Sequence, residues 1–294
     1  MSTEIYYFSG TGNSLHVARE LQKRIPETKL IPILSLLDKD IIITKGETIG
    51  FVFPIYLSST PVPVRRFLKI IDLKPTQYIF AVTTNCGYPG KVNIYLEKLL
   101  KKRGKNIHSY FTLKMMGNSP KGVMPSFMIT QDWASRIAKE TISALEHEVQ
   151  NELDTIYKVI MNKEKNTGKD NPNPPNFFMK YVERLLYLPI EWASEYTHPK
   201  INFYADSTCT GCKICEKVCL SKKVKMKNGK PLWKKDINCY YCYACFNFCP
   251  EQSILVKNYT HKDGRYCHPD VTAKDIAEQK GLKIGYLASQ FHKI

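Results

Sequence analysis

The chain has 294 residues, 43% of them hydrophobic, and a formal net charge of +16. This length allows about two domains, and the apolar content suffices for packed cores. The longest apolar stretch, Ile49 to Leu57, is far shorter than the roughly 20 residues of a membrane-spanning helix. No basic segment precedes an apolar one between Met1 and Ile5, so we expect neither a signal peptide nor membrane insertion.

A glycine-rich turn, residues 9–14, follows the predicted strand Ile5 to Phe8 and precedes apolar residues at helical spacing from Val17 to Ile25. Such a turn directs backbone N–H groups and hydroxyls at an anion on the helix N-terminus. It lacks the Lys of a Walker motif and the third Gly of a dinucleotide fingerprint, which favours a terminal phosphomonoester held by neutral donors. A plain turn without a ligand is the alternative. The turn comprises Ser9, Gly10, Thr11, Gly12, Asn13 and Ser14.

The glycine-rich turn resembles the phosphate loop of flavodoxin-like domains, and this resemblance implies FMN as the ligand. Two further loops follow the predicted buried strands Ile49–Phe53 and Tyr78–Thr84, and ligands of open α/β sheets bind beyond the carboxyl ends of such strands. By the same resemblance these loops flank the isoalloxazine ring, with Tyr56 or Tyr88 available for stacking. Ordinary loop aromatics are the alternative for both. The implied contacts are Pro54, Ile55, Tyr56, Leu57, Asn85, Cys86, Gly87, Tyr88 and Gly90.

The remaining N-terminal elements continue an α/β pattern. Helices are predicted over 62–71, 92–102 and 131–165, with a fifth strand over 107–116 and a loop over 117–125. We therefore predict a flavodoxin-like, doubly wound α/β domain with a parallel five-stranded sheet over residues 1–165. A linker and docking helix, residues 166–200, follows. We expect its aromatic helical part to pack within the molecule; contact with a membrane surface or a partner is the alternative.

Eight of the ten cysteines fall in two runs with the spacing C-x2-C-x2-C-x3-C. This spacing is that of bacterial two-cluster ferredoxins, in which the fourth Cys of each run ligates the other cluster. Zinc, the alternative, takes its ligands in two pairs and leaves the third Cys of each run unexplained. The expected ligand sets are Cys209, Cys212, Cys215 and Cys249 for one cluster, and Cys239, Cys242, Cys245 and Cys219 for the other.

Two [4Fe–4S] clusters are therefore predicted in a small α+β ferredoxin domain over residues 201–258, followed by a C-terminal extension over 259–294. Cys249 is followed by Pro250, as the pattern expects, but Cys219 is followed by Leu220. This departure weakens the match locally without removing a ligand. Thiolate-bound clusters need a reducing compartment, so we expect a cytoplasmic protein of anaerobic metabolism.

A lysine cluster separates the two cysteine runs. Counting ligand thiolates, oxidised cubane cores and a flavin phosphate lowers the net charge to about +10. We expect the lysines to attract acidic redox proteins or a redox enzyme rather than nucleic acid; a merely solvated hairpin is the alternative. The cluster comprises Lys222, Lys223, Lys225, Lys227, Lys230, Lys234 and Lys235.

The C-terminal extension offers few signals. Thr272 is predicted to cap a short helix, and Cys267 and His268 are not expected to be ligands because no second pair lies nearby in sequence. The two cysteine runs also flank an Asn228-Gly229 hairpin turn. No catalytic constellation of Ser, His and Asp can be assembled, so no catalytic residue is predicted.

Taken together, the glycine-rich turn and the two cysteine runs resemble the flavodoxin–ferredoxin fusion proteins often called ferrodoxins. The resemblance implies electron transfer between low-potential partners, with FMN converting between one-electron and two-electron steps. An FMN-dependent oxidoreductase acting on a small organic substrate, fed by the clusters, is the alternative. A nucleic-acid-binding iron–sulfur protein is a third class, suggested by the charge alone.

Overall fold

The computed structural model describes residues 2–56, 59–87, 89–120, 138–166, 201–257 and 264–281. Its first part contains the predicted five-stranded sheet, in which every strand pairs in parallel with its neighbours. Two further short strands pair in parallel beside it. The strands are β1 (Thr3–Tyr7), β2 (Thr28–Pro32), β3 (Ile42–Ile43), β4 (Thr48–Pro54), β5 (Ile71–Asp72), β6 (Tyr78–Asn85) and β7 (Ser109–Lys114).

The strand order in the large sheet is β2-β1-β4-β6-β7. This is the 2-1-3-4-5 order of flavodoxin-like doubly wound folds, so the predicted fold class is confirmed. Each connection between consecutive strands of the large sheet contains a helix or a 3-10 turn. The helices are α1 (Asn13–Arg24), α2 (Val62–Ile70), α3 (Val92–Lys101) and α4 (Lys139–Met161), with a 3-10 turn at Ile33–Leu36.

The central strands β4 and β6 are buried on both faces, which explains their continuous apolar sequences. Alternate side chains enter two separate hydrophobic layers. Phe51 and Phe53 pack in the layer of α2 and α3, whereas Val52 packs in the layer of α1 and α4. The predicted strand over 107–116 and helix over 131–165 are each shorter, and residues 131–137 lie outside the described part of the chain.

The cysteine-rich part is built from two small antiparallel pairs and two short helices. β8 (Phe203–Ala205) pairs with β11 (Ile254–Val256), and β9 (Val224–Lys227) pairs with β10 (Lys230–Trp233). Asn228 and Gly229 connect the second pair, both with positive φ, so the predicted hairpin turn is confirmed. The short helices are α5 (Ile214–Val218) and α6 (Ala244–Asn247).

A C-terminal strap, residues 264–281, contains the last described helix, α7 (Ala273–Glu278). Thr272 caps this helix in a capping box with Asp275, as predicted. Val271 and Ile276 of the strap join Leu220 and Cys242 of the cysteine-rich part in the hydrophobic layer under α2 and α3. The cysteine-rich part and the strap thus pack directly on the α/β domain. Of the predicted linker and docking helix, 166–200, only residue 166 is described. Among the described helices, none is long and apolar enough to cross a membrane.

Candidate functional site

The two cysteine runs have matching backbones. Cys209 and Cys239, the first cysteines of the two runs, start equivalent loops. In both runs the two residues that flank the second Cys have left-handed backbone conformations. Left-handed backbone is costly for residues with a Cβ, on the order of 1–3 kcal/mol each, and persists where a site requires it. Both loops therefore share one strained backbone conformation. The residues concerned are Gly211 (φ 72°), Lys213 (φ 66°), Tyr241 (φ 56°) and Tyr243 (φ 52°).

Each of the two predicted groups of thiols combines both runs, and Cys245 of the second group also lies near Cys215 of the first. Burial, together with the nearby Cys212, Cys249 and Cys209, raises the pKa of Cys215 to about 12. Burial likewise raises the pKa of Cys242, and there the acting thiols are those of Cys239 and Cys219. The structure thus brings the fourth Cys of each run next to the other run. A metal centre must remove these protons when it binds.

The spacing of the sulfurs bears on which metal fits. A tetrahedral zinc site with Zn–S bonds of about 2.3 Å holds its sulfurs roughly 3.8 Å apart. All eight cysteines of the two runs are described, and no three of their sulfurs lie within 4.8 Å of one another. All eight are free thiols, so no disulfide competes for them. The donor set fits iron–sulfur clusters, whose iron atoms separate the ligand sulfurs.

The two groups of thiols differ in exposure. Cys212 is exposed and Cys209 is half-buried, so the first group reaches the surface. Cys242 and Cys245 of the second group are buried. Cys242 faces the α/β domain, where its Cβ and carbonyl oxygen would lie 2.8 Å from a Cβ placed on Gly10.

Some lysines have structural roles beside the cysteine ligands. Lys230 donates to the carbonyl of Cys209 at 2.9 Å, and Lys223 donates to the carbonyls of Lys234 and Ile237. Lys280 of the strap donates to the carbonyls of Lys217 at 2.5 Å and Cys219 at 3.5 Å. Cations therefore border both groups of thiols, where a reduced cluster adds negative charge.

The glycine-rich turn joins β1 to α1 as predicted, and α1 begins without a side-chain cap. Its residues are nevertheless enclosed by protein: Ser9, Thr11 and Ser14 are 1%, 3% and 0% exposed. The Ser9 N–H donates to Gln279 Oε1 at 2.9 Å, and Gln279 Nε2 donates back to the Ser9 carbonyl at 2.9 Å. A cavity holding a phosphate would leave these side chains accessible. The described conformation therefore has no room for a phosphate at the turn.

Further contacts close the remaining sides of the turn. The His268 N–H donates to the Thr11 carbonyl at 2.8 Å, and Tyr266 donates its hydroxyl to Asn13 Oδ1 at 3.0 Å. Asn118 Nδ2 donates to Thr11 Oγ1 at 2.8 Å. Sequence reasoning missed Gln279, Tyr266 and Asn118 because nothing in their local sequence marks a partner more than a hundred residues away.

A clamp of two histidines and one carboxylate joins α1, α4 and the strap. His16 Nε2 lies 2.8 Å from Glu146 Oε1, and His268 Nε2 lies 3.5 Å from Glu146 Oε2. The two rings are stacked, with centroids 3.9 Å apart and planes inclined by 23°. One ligand atom from each of the three residues lies within 4.8 Å of the others, a spacing at which a metal ion could be held. Hydrogen bonds from His16, His268 and Gln150 outweigh burial and lower the pKa of Glu146.

The two loops predicted to contact a flavin ring are placed differently. Tyr56 is half-buried with its hydroxyl enclosed beside Gly10, and burial together with the Cys242 thiol raises its pKa. Cys86 is exposed, and Asn85 accepts from the Gly87 N–H at 2.9 Å. Three other predicted positions lie at the same edge of the sheet. Pro54 ends β4 and Ile55 follows it, and Gly90, with φ 65°, lies in the loop after β6. Leu57 and Tyr88 lie outside the described residues.

Two hydroxyls beside these loops, Ser59 Oγ and Thr60 Oγ1, are buried without a hydrogen-bond partner. Sequence reasoning did not single them out, since they lie past the end of the predicted loop. They provide polar atoms without hydrogen bonds near the expected position of the flavin ring. The glycine-rich turn differs, because other parts of the protein already bond to its polar atoms.

A cleft of about 490 Å³ separates α2 from the second cysteine run. One wall is a single face of α2, and the other includes residues next to Cys239 together with Ser221, whose hydroxyl lies 3.7 Å from Cys219 Sγ. The cleft carries three cations and one carboxylate, so it favours anions. Its lining residues are Val62, Arg65, Arg66, Lys69, Ser221, Asp236, Ile237, Asn238 and Tyr240.

Residues 208–254 match a protein family described as a 4Fe-4S dicluster domain. This segment includes both cysteine runs, so the chain contains a 4Fe–4S ferredoxin domain, as predicted. No curated protein matches the chain.

Several solved structures resemble the chain at low identity. A putative flavoprotein from Bacteroides uniformis is 16% identical, covers 38% of this chain and 90% of its own, and has a TM-score of 0.32. An FMN-dependent NADH-azoreductase from Bacillus anthracis is 11% identical, with coverages of 53% and 100% and a TM-score of 0.33. Rubredoxin oxygen:oxidoreductase from Desulfovibrio gigas is 14% identical, with coverages of 55% and 36% and a TM-score of 0.33. The flavodoxin-like assignment rests on the strand order and not on these similarities.

Proposed function

We propose that this chain transfers electrons through two [4Fe–4S] clusters held by the two cysteine runs. The observation that carries the proposal is the matched pair of strained cysteine loops, each with the fourth Cys of the other run beside it. Cys209, Cys212, Cys215 and Cys249 would hold one cluster, and Cys239, Cys242, Cys245 and Cys219 the other. When bound, each cluster takes up or releases one electron at a time.

The placement of the thiols supports a route for electrons across the molecule. The first group reaches solvent at Cys212, which gives a redox partner access. The second group is buried against Gly10 at the sheet edge, which keeps water away from it. The partner would therefore meet the first group, and the second group would serve the α/β domain. Acidic redox proteins or a redox enzyme are the proposed partners, because lysines border the exposed group.

Iron counting after paired cysteine substitutions tests the proposed ligand sets. Anaerobically purified protein should contain about eight irons and eight sulfides per chain. The double variant Cys219→Ala with Cys245→Ala should keep about four irons, because both residues serve one cluster. Cys219→Ala with Cys215→Ala should keep almost none. The reverse pattern, with almost no iron in Cys219→Ala with Cys245→Ala and about four irons in Cys219→Ala with Cys215→Ala, would show that each run holds its own cluster. Zinc in place of iron would overturn the proposal.

FMN at the glycine-rich turn is proposed as a further cofactor that would convert between one-electron and two-electron chemistry. The uncapped N-terminus of α1 and the hydroxyls of Ser9, Thr11 and Ser14 support a phosphate there. The described conformation covers this site, so binding requires the turn to be uncovered. Flavin analysis of the purified protein measures how much FMN it retains.

A second candidate function is favoured by the cleft beside α2. Its volume suits a metabolite, and Ser221 and Tyr240 connect it to two cysteines of one group. The chain would then reduce or oxidise a small anionic substrate. Anaerobic turnover with quinones, nitro compounds and enones that carry a carboxylate tests this function. Saturable turnover whose KM rises in Arg66→Gln, but not in the exposed control Lys74→Gln, would favour it over the carrier function.

A further inference from the structure

The C-terminal strap lies on the glycine-rich turn where a phosphate would have to bind. The side-chain amide of Gln279 is 0% exposed and forms two hydrogen bonds with the backbone of Ser9. The backbone of His268 bonds to Thr11, and the Cβ atoms of His268 and Val271 lie 2.7 and 2.9 Å from a Cβ placed on Gly12. These groups use the polar atoms and the space that a phosphate needs.

We propose that the strap and the phosphate of FMN compete for the glycine-rich turn, so that the chain binds FMN only when the strap is released. The inference rests on the proposed FMN site, and it is independent of the iron–sulfur proposal. It explains why a turn with the composition of a phosphate site is fully enclosed in this chain.

The side chain of Gln279 suits this role because it is neutral and bidentate. Its amide accepts from the Ser9 N–H and donates to the Ser9 carbonyl, whereas a phosphate can only accept from such donors. The amide also donates to the Ile276 carbonyl at 3.3 Å, which orients it within the strap. Gln279 therefore occupies the turn without a charge of its own, while a carboxylate of the strap, that of Asp270, lies 3.4 Å from Nδ1 of His16 in α1.

The strap is held to α1 by contacts that do not involve the turn. Arg19 of α1 forms an ion pair with Asp275 and donates to the carbonyl of Asp270 at 3.3 Å. Breaking these contacts should loosen the strap while leaving every atom of the phosphate site in place.

The other end of the strap is anchored in the ferredoxin domain. Arg265 donates to the carbonyls of Phe246, Gln252 and Ile254, and its guanidinium lies over the Phe246 ring. Gly264, with φ 76°, precedes this anchor. Release of the strap beyond Arg265 would leave the chain attached to the ferredoxin domain at this anchor, and it would break the hydrogen bonds of Lys280 to the carbonyls of Lys217 and Cys219.

Binding of FMN and of riboflavin to the iron-loaded protein tests the competition. The comparison uses wild type, Gln279→Ala, Arg19→Gln and, as a control on the same helix, Lys274→Ala. Losing two hydrogen bonds that must be broken for FMN to enter should raise its affinity about tenfold in Gln279→Ala. Arg19→Gln should raise it in the same direction, and Lys274→Ala should not. Riboflavin, which lacks the phosphate, should bind all four proteins equally.

Hydrogen exchange supplies a readout independent of affinity. Adding FMN to wild type should speed exchange of the strap amides, including the His268 N–H, because the phosphate displaces them. A ligand that binds with the strap closed would slow them instead. Unchanged iron content in all four proteins keeps this test separate from the iron–sulfur proposal.

Three results would overturn the competition. One is stoichiometric FMN in purified wild type with the strap amides protected. The second is an equal gain for FMN and riboflavin in the variants. The third is an FMN affinity in Gln279→Ala and Arg19→Gln no higher than in wild type, including no binding at all.

Discussion

Gly10 illustrates how one residue acquires a different explanation once the packing is known. Its lack of a side chain suggests close approach of a phosphate, but in the structure a Cβ placed on Gly10 would collide with Tyr56 Oη and would lie 2.8 Å from the Cβ and the carbonyl oxygen of Cys242. The carbonyl belongs to a strained loop and cannot move easily. The glycine thus allows the second cysteine run to reach the sheet.

Gly10→Ala should therefore push Cys242 away from the α/β domain. Overpacking at a tight site typically costs about 1–3 kcal/mol, and here we also expect a changed EPR spectrum for the reduced cluster that is proposed to bind at Cys242. Gly87→Ala is the control, because a Cβ at Gly87 meets nothing within 4 Å. Urea unfolding and EPR of both variants check the prediction; an unchanged spectrum in Gly10→Ala would show that the contact does not position the cluster.

Because the thiols are buried, we expect the iron-free and iron-loaded proteins to differ in their stability at high pH. Burial raises the pKa of Cys215 to about 12 and that of Cys239 to about 11. A pKa raised by folding gives stability that is complete below the unfolded value of about 8.5 and is lost as pH rises toward the folded value. Iron-free protein should therefore lose urea resistance between pH 8 and pH 10. Iron-loaded protein should lose less, because its thiols are already deprotonated; equal losses would contradict this account.

At the scale of elements, the clamp of His16, Glu146 and His268 is the contact that joins α1, α4 and the strap. Glu146→Gln preserves the size of the side chain but removes its charge. Hydrogen bonds to charged groups contribute about 1.5–3 kcal/mol and neutral ones about 0.5–1.5, so we expect a loss of roughly 1–2 kcal/mol at pH 7. Glu148→Gln, exposed on the same helix, should change the unfolding free energy by less than about 0.5 kcal/mol. Similar losses of unfolding free energy in the two variants would show that the clamp does not stabilise the fold.

Elements with a local cause were predictable from sequence. Buried parallel strands such as β4 and β6 are continuous apolar runs, and the cysteine spacing marks the ferredoxin domain. The Thr272 cap and the Asn228-Gly229 turn depend on neighbours only a few residues away. The strap could not be predicted, because Gln279 is an ordinary helical residue whose meaning comes from Ser9, 270 positions earlier. The same holds for His268, which has no partner nearby in sequence and stacks on His16.

At the scale of the whole molecule, the formal charge of +16 predicts how the chain meets small redox reagents. Several lysines between the cysteine runs are exposed, including Lys227 and Lys235. They lie in the same domain as the accessible thiol group at Cys212. A positive field at this surface accelerates encounters with anions and slows encounters with cations, and salt screens both effects. Oxidation of the reduced protein by ferricyanide should therefore slow with added salt, whereas oxidation by hexaammineruthenium(III) should accelerate.

Neutralising the two lysines locates this field. Lys227→Gln with Lys235→Gln should slow the ferricyanide reaction severalfold at low salt and flatten its salt dependence. Lys39→Gln with Lys139→Gln removes the same charge from exposed positions on the α/β domain and should have a smaller effect, because those positions lie in the other domain. Stopped-flow rates measured against ionic strength for both double variants check the prediction. Equal slowing in the two would mean that net charge alone governs the encounter, and the lysines between the cysteine runs would then not be a docking surface for acidic partners.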